Sequence, residues 1–103
     1  MKNKYYLSYL YQDDIIYNHK INKICVNSKQ VEMNDIFIAI SGLTVDGNDF
    51  ISEAIRNGAK TIITEEKCYY DDVNIVIVEN ARKELARILK KLYHKIMKKM
   101  TII

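Results

Sequence analysis

The chain has 103 residues, a formal net charge of +3, 49% hydrophobic residues and 28% charged residues. This length and balance suit one compact domain with a single core, and they exclude several domains within the chain. No apolar run approaches the roughly 18 residues that cross a bilayer, and the first residues lack the apolar core of a signal peptide, so we expect a cytoplasmic protein. Cys25 and Cys68 lack metal-ligand or redox spacing and are expected to be reduced thiols.

The first candidate element, within residues 4–17, has an ambiguous pattern. Its tyrosines and isoleucines suit a strand. Four of its residues nevertheless recur at helical spacing, namely Leu7, Leu10, Tyr11 and Ile15. Both a helix and a strand therefore stay open for this segment.

Residues 24–26 and 36–40 are the first two predicted strands. The former is a short run of β-forming residues, and the latter is the continuous apolar run that is typical of a fully buried strand. We expect the two strands to share a sheet.

A loop that contains two of the three glycines, residues 41–47, leads from the second strand into a helical pattern. Asn48 or Asp49 can cap the first turn of that helix, and Gly58 can end it. The residues at helical spacing are Phe50, Ile51, Ala54 and Ile55. Loops at the carboxyl ends of strands form ligand crevices in open α/β sheets, so this loop is a candidate binding element.

Residues 61–64 and 75–78 are two more predicted strands, and an acidic segment lies between them. Asn80 is expected to cap a last helix. The apolar stripe of this helix should pack on the sheet and consists of Leu85, Ile88, Leu89, Leu92, Ile96 and Met97. The succession predicts an α/β fold, a single layered domain with a mostly parallel or mixed sheet and flanking helices.

The residue patterns of common catalytic and metal sites are missing. The chain has no phosphate loop, no dinucleotide-binding Gly-x-Gly-x-x-Gly, and no histidine pair with a carboxylate at metal-ligand spacing, so we expect neither ATP hydrolysis nor a metal site. His19 and His94 are isolated and are expected on the surface without a role. Three adjacent acidic pairs are expected in solvated turns, namely Asp13–Asp14, Glu65–Glu66 and Asp71–Asp72.

The basic character of the chain belongs to the last helix. Residues 80–100 contain eight Lys or Arg and one acidic residue. Clustered cations can bind nucleic acid or an anionic membrane. This stretch has no interleaved exposed aromatic residues and no arginine-rich reading face, however, so we expect a solvated helix face with neither nucleic acid nor membrane as partner.

An ordered set of motifs resembles the N-terminal domain of the Mur ligase family. In chain order the motifs are VNSKQVEMNDIFIAISG (residues 26–42), DGNDFI (46–51), AIRNGA (54–59) and NAR (80–82). The similarity is strongest to the UDP-N-acetylmuramoyl-peptide ligases that add the third stem-peptide residue, the UDP-N-acetylmuramoyl-L-alanyl-D-glutamate ligases. It covers residues 24 to about 92, and the ordered combination is more specific than any single motif.

The resemblance implies a domain that binds the uridine end of UDP-N-acetylmuramoyl-dipeptide. In that case the Ser28 hydroxyl would hydrogen-bond the uridine, and residues 43–45 would flank the uracil. The family usually has Asp and Arg where this chain has Asn27 and Lys29, and a lysine lacks the bidentate fork of arginine. The implied substrate-binding residues are Asn27, Ser28, Lys29, Leu43, Thr44 and Val45.

The resemblance also implies that residues 1–103 form only the N-terminal domain, with the central ATP-binding and C-terminal domains absent. Residues 100–103 look like the strand before the family's phosphate loop. We therefore expect no cofactor and no activity in this chain alone, since ATP and magnesium belong to a full-length ligase. The alternative is a stand-alone structural or protein-interaction module that has lost ligand binding. Weak self-association of the isolated domain fits either case.

Overall fold

The computed structural model describes residues 5–13, 15–40 and 47–93, in which four strands form one parallel sheet. The strands lie side by side in chain order: β1 (Ile24–Cys25), β2 (Ile36–Ile38), β3 (Thr61–Thr64) and β4 (Asn74–Ile77). One row of paired residues crosses the whole sheet and consists of Cys25, Phe37, Ile62 and Ile75. Two α-helices follow β2 and β4, namely α1 (Gly47–Arg56) and α2 (Ala81–Leu92). The predicted α/β architecture is confirmed, with all described strands parallel.

The two sides of the sheet carry separate apolar clusters, each covered by one helix. Successive side chains of a strand point to opposite sides, so Phe37 packs on one side while Ile36 and Ile38 pack on the other. The side that we call the α1 face buries Cys25, Val31, Phe37, Ile51, Ala54, Ala59 and Ile62. The side that we call the α2 face buries, among others, Ile36, Ile38, Ile63, Val76, Ile88 and Leu92.

Helix α1 occupies the predicted place between β2 and β3. It begins at Gly47, so Asn48 and Asp49 lie inside its first turn rather than before it, which corrects their predicted capping position. Gly58 follows the helix with φ of +120°, a conformation that L side chains rarely adopt. The carbonyl of Gly58 accepts a hydrogen bond from the amide of Asn34 at 2.9 Å, so this glycine also ties the end of α1 to the turn before β2.

Helix α2 has the predicted cap and a matching apolar stripe. The Asn80 side chain accepts a hydrogen bond from the Lys83 amide at 3.0 Å, as an N-cap residue does. Ile88 and Leu92 are buried on the α2 face, and Leu85 packs against them. Arg82 is exposed in the first turn. Ile96 and Met97, the last residues of the predicted stripe, lie outside the described residues.

The N-terminal segment, which comprises residues 5–13 and 15–21, forms neither of the regular elements that its pattern left open. It contains one turn of 3₁₀ helix, Leu7–Tyr9, and a single antiparallel bridge between Tyr6 and Lys20. It still contributes to the core, because Leu7, Leu10, Tyr11 and Ile21 are buried on the α2 face. Among the described residues, no helix is long and apolar enough to cross a membrane.

Candidate functional site

A tight turn follows β1 at the position of the first predicted binding residues. Ser28–Gln30 form one turn of 3₁₀ helix, and the Asn27 side chain caps it by accepting a hydrogen bond from the Lys29 amide at 3.0 Å. The Cys25 thiol donates to the Asn27 carbonyl at 3.0 Å. Asn27 and Lys29 are exposed. Asn27 therefore shapes this turn, while the Lys29 side chain faces solvent beside it.

Ser28 lies between this turn and helix α1. It is only 2% exposed, and its hydroxyl donates a hydrogen bond to the Glu53 carboxylate at 2.5 Å. Its carbonyl accepts a second hydrogen bond from the Asn57 side-chain amide at 2.9 Å. Glu53 lies on α1 and Asn57 directly follows its last residue, so two polar side chains from this end of the helix contact Ser28.

The sequence interpretation missed Glu53 and Asn57. The available signal was the spacing of two polar residues four apart on a helix whose other face is apolar. A periodicity argument assigns such residues to solvent, since it contains no information about which turn lies beside the helix.

The structure describes one of the two halves of the predicted site. Asn27, Ser28 and Lys29 lie together in the turn after β1. Leu43, Thr44 and Val45 lie outside the described residues. Helix α1 begins at Gly47, and a rise of 1.5 Å per residue puts Glu53 about 9 Å further along the axis. Ser28 therefore contacts α1 beyond its first turn.

His19 is buried, which corrects its predicted place on the surface. Its side chain is 8% exposed, and Nε2 lies 2.7 Å from the Thr61 hydroxyl while Nδ1 lies 3.0 Å from the Lys20 carbonyl. Burial and, to a smaller extent, the charge of Lys60 lower the pKa of His19. The prediction failed because the polar neighbours of His19 in the sequence do not reveal that its side chain packs against Thr61 of β3. His94 lies outside the described residues.

Tyrosine rings lie beside the exposed basic residues of α2. The rings come from the N-terminal segment rather than from the helix, which is why the helix sequence does not show them. The Lys91 ammonium lies 4.9 Å from the centroid of the Tyr9 ring, and Tyr9 stacks on Tyr5 at 4.4 Å. Arg87 lies over the Tyr11 ring and pairs with Glu84, which also accepts the Tyr11 hydroxyl. An open cavity of about 400 Å³ lies beside them and is lined by Tyr9, Arg87, Lys90 and Lys91.

The acidic residues between β3 and β4 are mostly exposed, as predicted, with one exception. Glu66, Asp71 and Asp72 face solvent, whereas Glu65 is half-buried and accepts a hydrogen bond from the Ala81 amide at 2.8 Å. Glu65 thus satisfies an amide at the start of α2. Within the described ranges, no three His, Cys, Asp or Glu residues are grouped so that they could hold a metal ion.

The two cysteines are free thiols. Burial and the nearby charge of Glu66 raise the pKa of the Cys68 thiol. A raised pKa lowers the thiolate fraction, and the thiolate is the nucleophilic form. Cys68 therefore lacks the electrostatic environment of a reactive cysteine.

Comparison with known proteins identifies the family. Residues 20–99 match the model described as the catalytic domain of the Mur ligase family. Over 92 residues, the chain is 39% identical to the UDP-N-acetylmuramoyl-L-alanyl-D-glutamate–2,6-diaminopimelate ligase of Rickettsia prowazekii. The aligned region covers 89% of this chain and 18% of that enzyme. It is also 40% identical over 75 residues to UDP-N-acetylmuramyl-tripeptide synthetase 2 of Oceanobacillus iheyensis. This aligned region covers 71% of this chain and 15% of the relative.

Solved structures show the same fold. The MurF ligase of Thermotoga maritima, in complex with ADP, superposes with a TM-score of 0.61 at 40% identity, covering 71% of this chain and 17% of that one. A MurF structure from Acinetobacter baumannii has a TM-score of 0.65 at 24% identity, covering 78% of this chain and 17% of the other, and supports the fold alone. The chain thus spans less than a fifth of the relatives that it matches. On the family match and these identities, the chain belongs to the Mur ligase family.

Proposed function

We propose that this chain is the N-terminal, substrate-nucleotide-binding domain of a peptidoglycan-precursor ligase that adds the third stem-peptide residue. Its ligand would be the uridine end of UDP-N-acetylmuramoyl-dipeptide. The observation that carries the proposal is the 39% identity, over 89% of this chain, to a ligase whose name specifies UDP-N-acetylmuramoyl-L-alanyl-D-glutamate. The ordered motifs of residues 26–59 fall within this similarity.

The turn after β1 has the chemistry that a uracil edge requires. Uracil presents one N–H donor between two carbonyl acceptors, and the turn offers a hydroxyl at Ser28 together with an exposed amide side chain at Asn27. We assign Asn27, Ser28 and Lys29 to this part of the site. Leu43, Thr44 and Val45 would flank the uracil, since apolar walls with a few polar groups are typical of small-molecule sites.

In this proposal the chain binds substrate without performing chemistry. Its sequence has no phosphate loop, so ATP and magnesium would be bound by another part of a full-length ligase. ATP-driven amide formation would require that part. The domain's contribution would be to hold one end of the substrate while the reacting carboxylate is positioned elsewhere.

A titration followed by NMR tests the proposal directly. The labelled chain is mixed with UDP-N-acetylmuramoyl-dipeptide, with UDP, and with ADP as the mismatched nucleotide. We expect saturable shifts of the amides of residues 27–30 with both uridine ligands and none with ADP. Absence of these shifts at millimolar ligand would contradict the proposal.

A pair of serine variants tests the role of Ser28 in this binding. A hydroxyl that hydrogen-bonds a ligand contributes about 1 kcal/mol, so Ser28→Ala should weaken UDP binding about fivefold when both serine variants are made in a Glu53→Ala chain, where no carboxylate holds the Ser28 hydroxyl. Ser52→Ala is the matched control, because Ser52 is on α1 and its hydroxyl lies 3.3 Å from the Tyr70 hydroxyl. Equal affinity of the two variants for UDP would remove Ser28 from the site.

A second candidate function is an interaction module that has lost ligand binding. It is favoured by Tyr9, which is 41% exposed beside the cations Arg87, Lys90 and Lys91. This surface would pair with an acidic partner. A monomeric chain that binds UDP and keeps the same sedimentation coefficient at all concentrations would contradict this second function.

A further inference from the structure

The hydroxyl of Ser28 already has a strong partner in the ligand-free chain. A serine has one hydroxyl proton and a carboxylate can only accept, so the 2.5 Å contact means that Ser28 donates to Glu53. Hydrogen bonds to an ionised acceptor are shorter and about twice as strong as neutral ones. The Ser28 side chain is also nearly inaccessible, because the whole residue is 2% exposed. A ligand therefore finds this hydroxyl both occupied and covered.

We propose, on the basis of the proposed function, that Glu53 blocks the uridine site of the free chain and must move away before a uridine nucleotide binds. The Glu53 carboxylate competes directly with the ligand for the hydroxyl proton of Ser28. It also adds negative charge next to a site whose ligand carries a negative diphosphate. Both effects act against binding.

Two contacts other than the Glu53 hydrogen bond also hold this turn. The Ser28 carbonyl is held separately by the Asn57 side chain, and the Asn27 side chain caps the turn from within. Glu53 is half-buried on α1, so its carboxylate can reach solvent when it leaves Ser28. Loss of the Glu53 carboxylate should therefore uncover the hydroxyl and leave the rest of the turn in place.

The test measures UDP affinity by NMR titration of the full chain and its variants. Glu53→Ala removes the competing carboxylate and should bind UDP about tenfold more tightly than the original chain, given the strength of a charge-assisted hydrogen bond. Glu53→Gln keeps the shape but has a neutral, weaker acceptor, so its gain should be smaller. Added salt should reduce the advantage of Glu53→Gln, because screening weakens the repulsion that this variant removes.

Two control variants separate blocking from a merely structural role. Asn57→Ala loosens the same turn but leaves Glu53 on Ser28, so it should not tighten UDP binding. Glu66→Gln removes one exposed carboxylate elsewhere and should leave UDP affinity unchanged. A structural role for Glu53 would instead make its variants resemble Asn57→Ala.

The outcomes distinguish this proposal from the proposed function. If the original chain binds UDP and both Glu53 variants bind equally or more weakly, Glu53 does not block the site, and the proposed function stands. If the original chain and both variants show no saturable shifts at millimolar UDP, both proposals fail. Should Glu53→Ala lose the dispersed spectrum of a folded chain, Glu53→Gln decides, since it preserves the side-chain volume.

Discussion

Tertiary contacts stabilise each face of the sheet, and the contacts on the two faces join residues at different distances along the sequence. On the α1 face, the turn after β1, the helix and β3 belong to one continuous stretch of chain, and the Ser28–Glu53 bond joins residues 25 apart. On the α2 face, the N-terminal segment is joined to β4 and α2 by Asn74–Tyr17 and Tyr11–Glu84, which are 57 and 73 residues apart. The family match begins only at residue 20. The segment before it nevertheless supplies part of the core.

Asn74→Ala should have the largest effect, because it removes the buried hydrogen bonds that join β4 to Ile16, Tyr17 and Thr61. Asn74 is 1% exposed; its side-chain oxygen accepts from the amides of Ile16 and Tyr17, and its nitrogen donates to the Tyr17 carbonyl and the Thr61 hydroxyl. Truncation leaves several of these groups without partners, so we expect a loss of about 3 kcal/mol in the free energy of unfolding. Urea denaturation measures it.

Asn57→Ala is the matched control for this prediction. It removes an asparagine that also ties distant parts of the chain, but Asn57 is exposed, so water can replace its hydrogen bond to Ser28. We expect a loss below about 1 kcal/mol for this variant. Similar losses of stability for the two variants would show that the hydrogen bonds of the buried Asn74 contribute no more than the bond of the exposed Asn57.

The sequence distance between contacting residues explains which features could be predicted. The strand at Thr61–Thr64 and the helix cap at Asn80 were predicted correctly, because each depends on a few neighbouring residues. The burial of His19 and the tyrosines beside α2 were missed, because they depend on residues tens of positions away. At the candidate site the turn was located, whereas the partners of Ser28, which are Glu53 on α1 and Asn57 just after it, were not.

Gly58→Ala tests the α1 face at a glycine whose backbone conformation disfavours other residues. An added Cβ would lie 2.8 Å from the Cα and N atoms of Met33, and the φ of +120° disfavours any L side chain. We expect destabilisation of about 2 kcal/mol from the combined strain. Hydrogen exchange should show the loss mainly in α1 and the turn before β2. Unchanged stability would mean that the backbone of residues 32–33 can move away freely.

The smallest expected effect is a pH dependence that arises from His19 on the α2 face. The Lys20 carbonyl can only accept, so Nδ1 carries the proton and Nε2 accepts from the Thr61 hydroxyl, which in turn accepts from Asn74. An imidazolium would place a second donor against Thr61. Burial accordingly lowers the pKa of folded His19 below its ordinary value of 6.5.

This direction fixes the sign of the pH effect. As pH falls through about 6.5, the unfolded chain takes up a proton on residue 19 that the folded chain resists, so the free energy of unfolding decreases until the folded residue also titrates. His19→Gln should reduce the difference in stability between pH 7.5 and pH 5.5, since glutamine can accept from Thr61 without titrating. An equal pH dependence in the original chain and His19→Gln would show that the contact between His19 and Thr61 tolerates the charge.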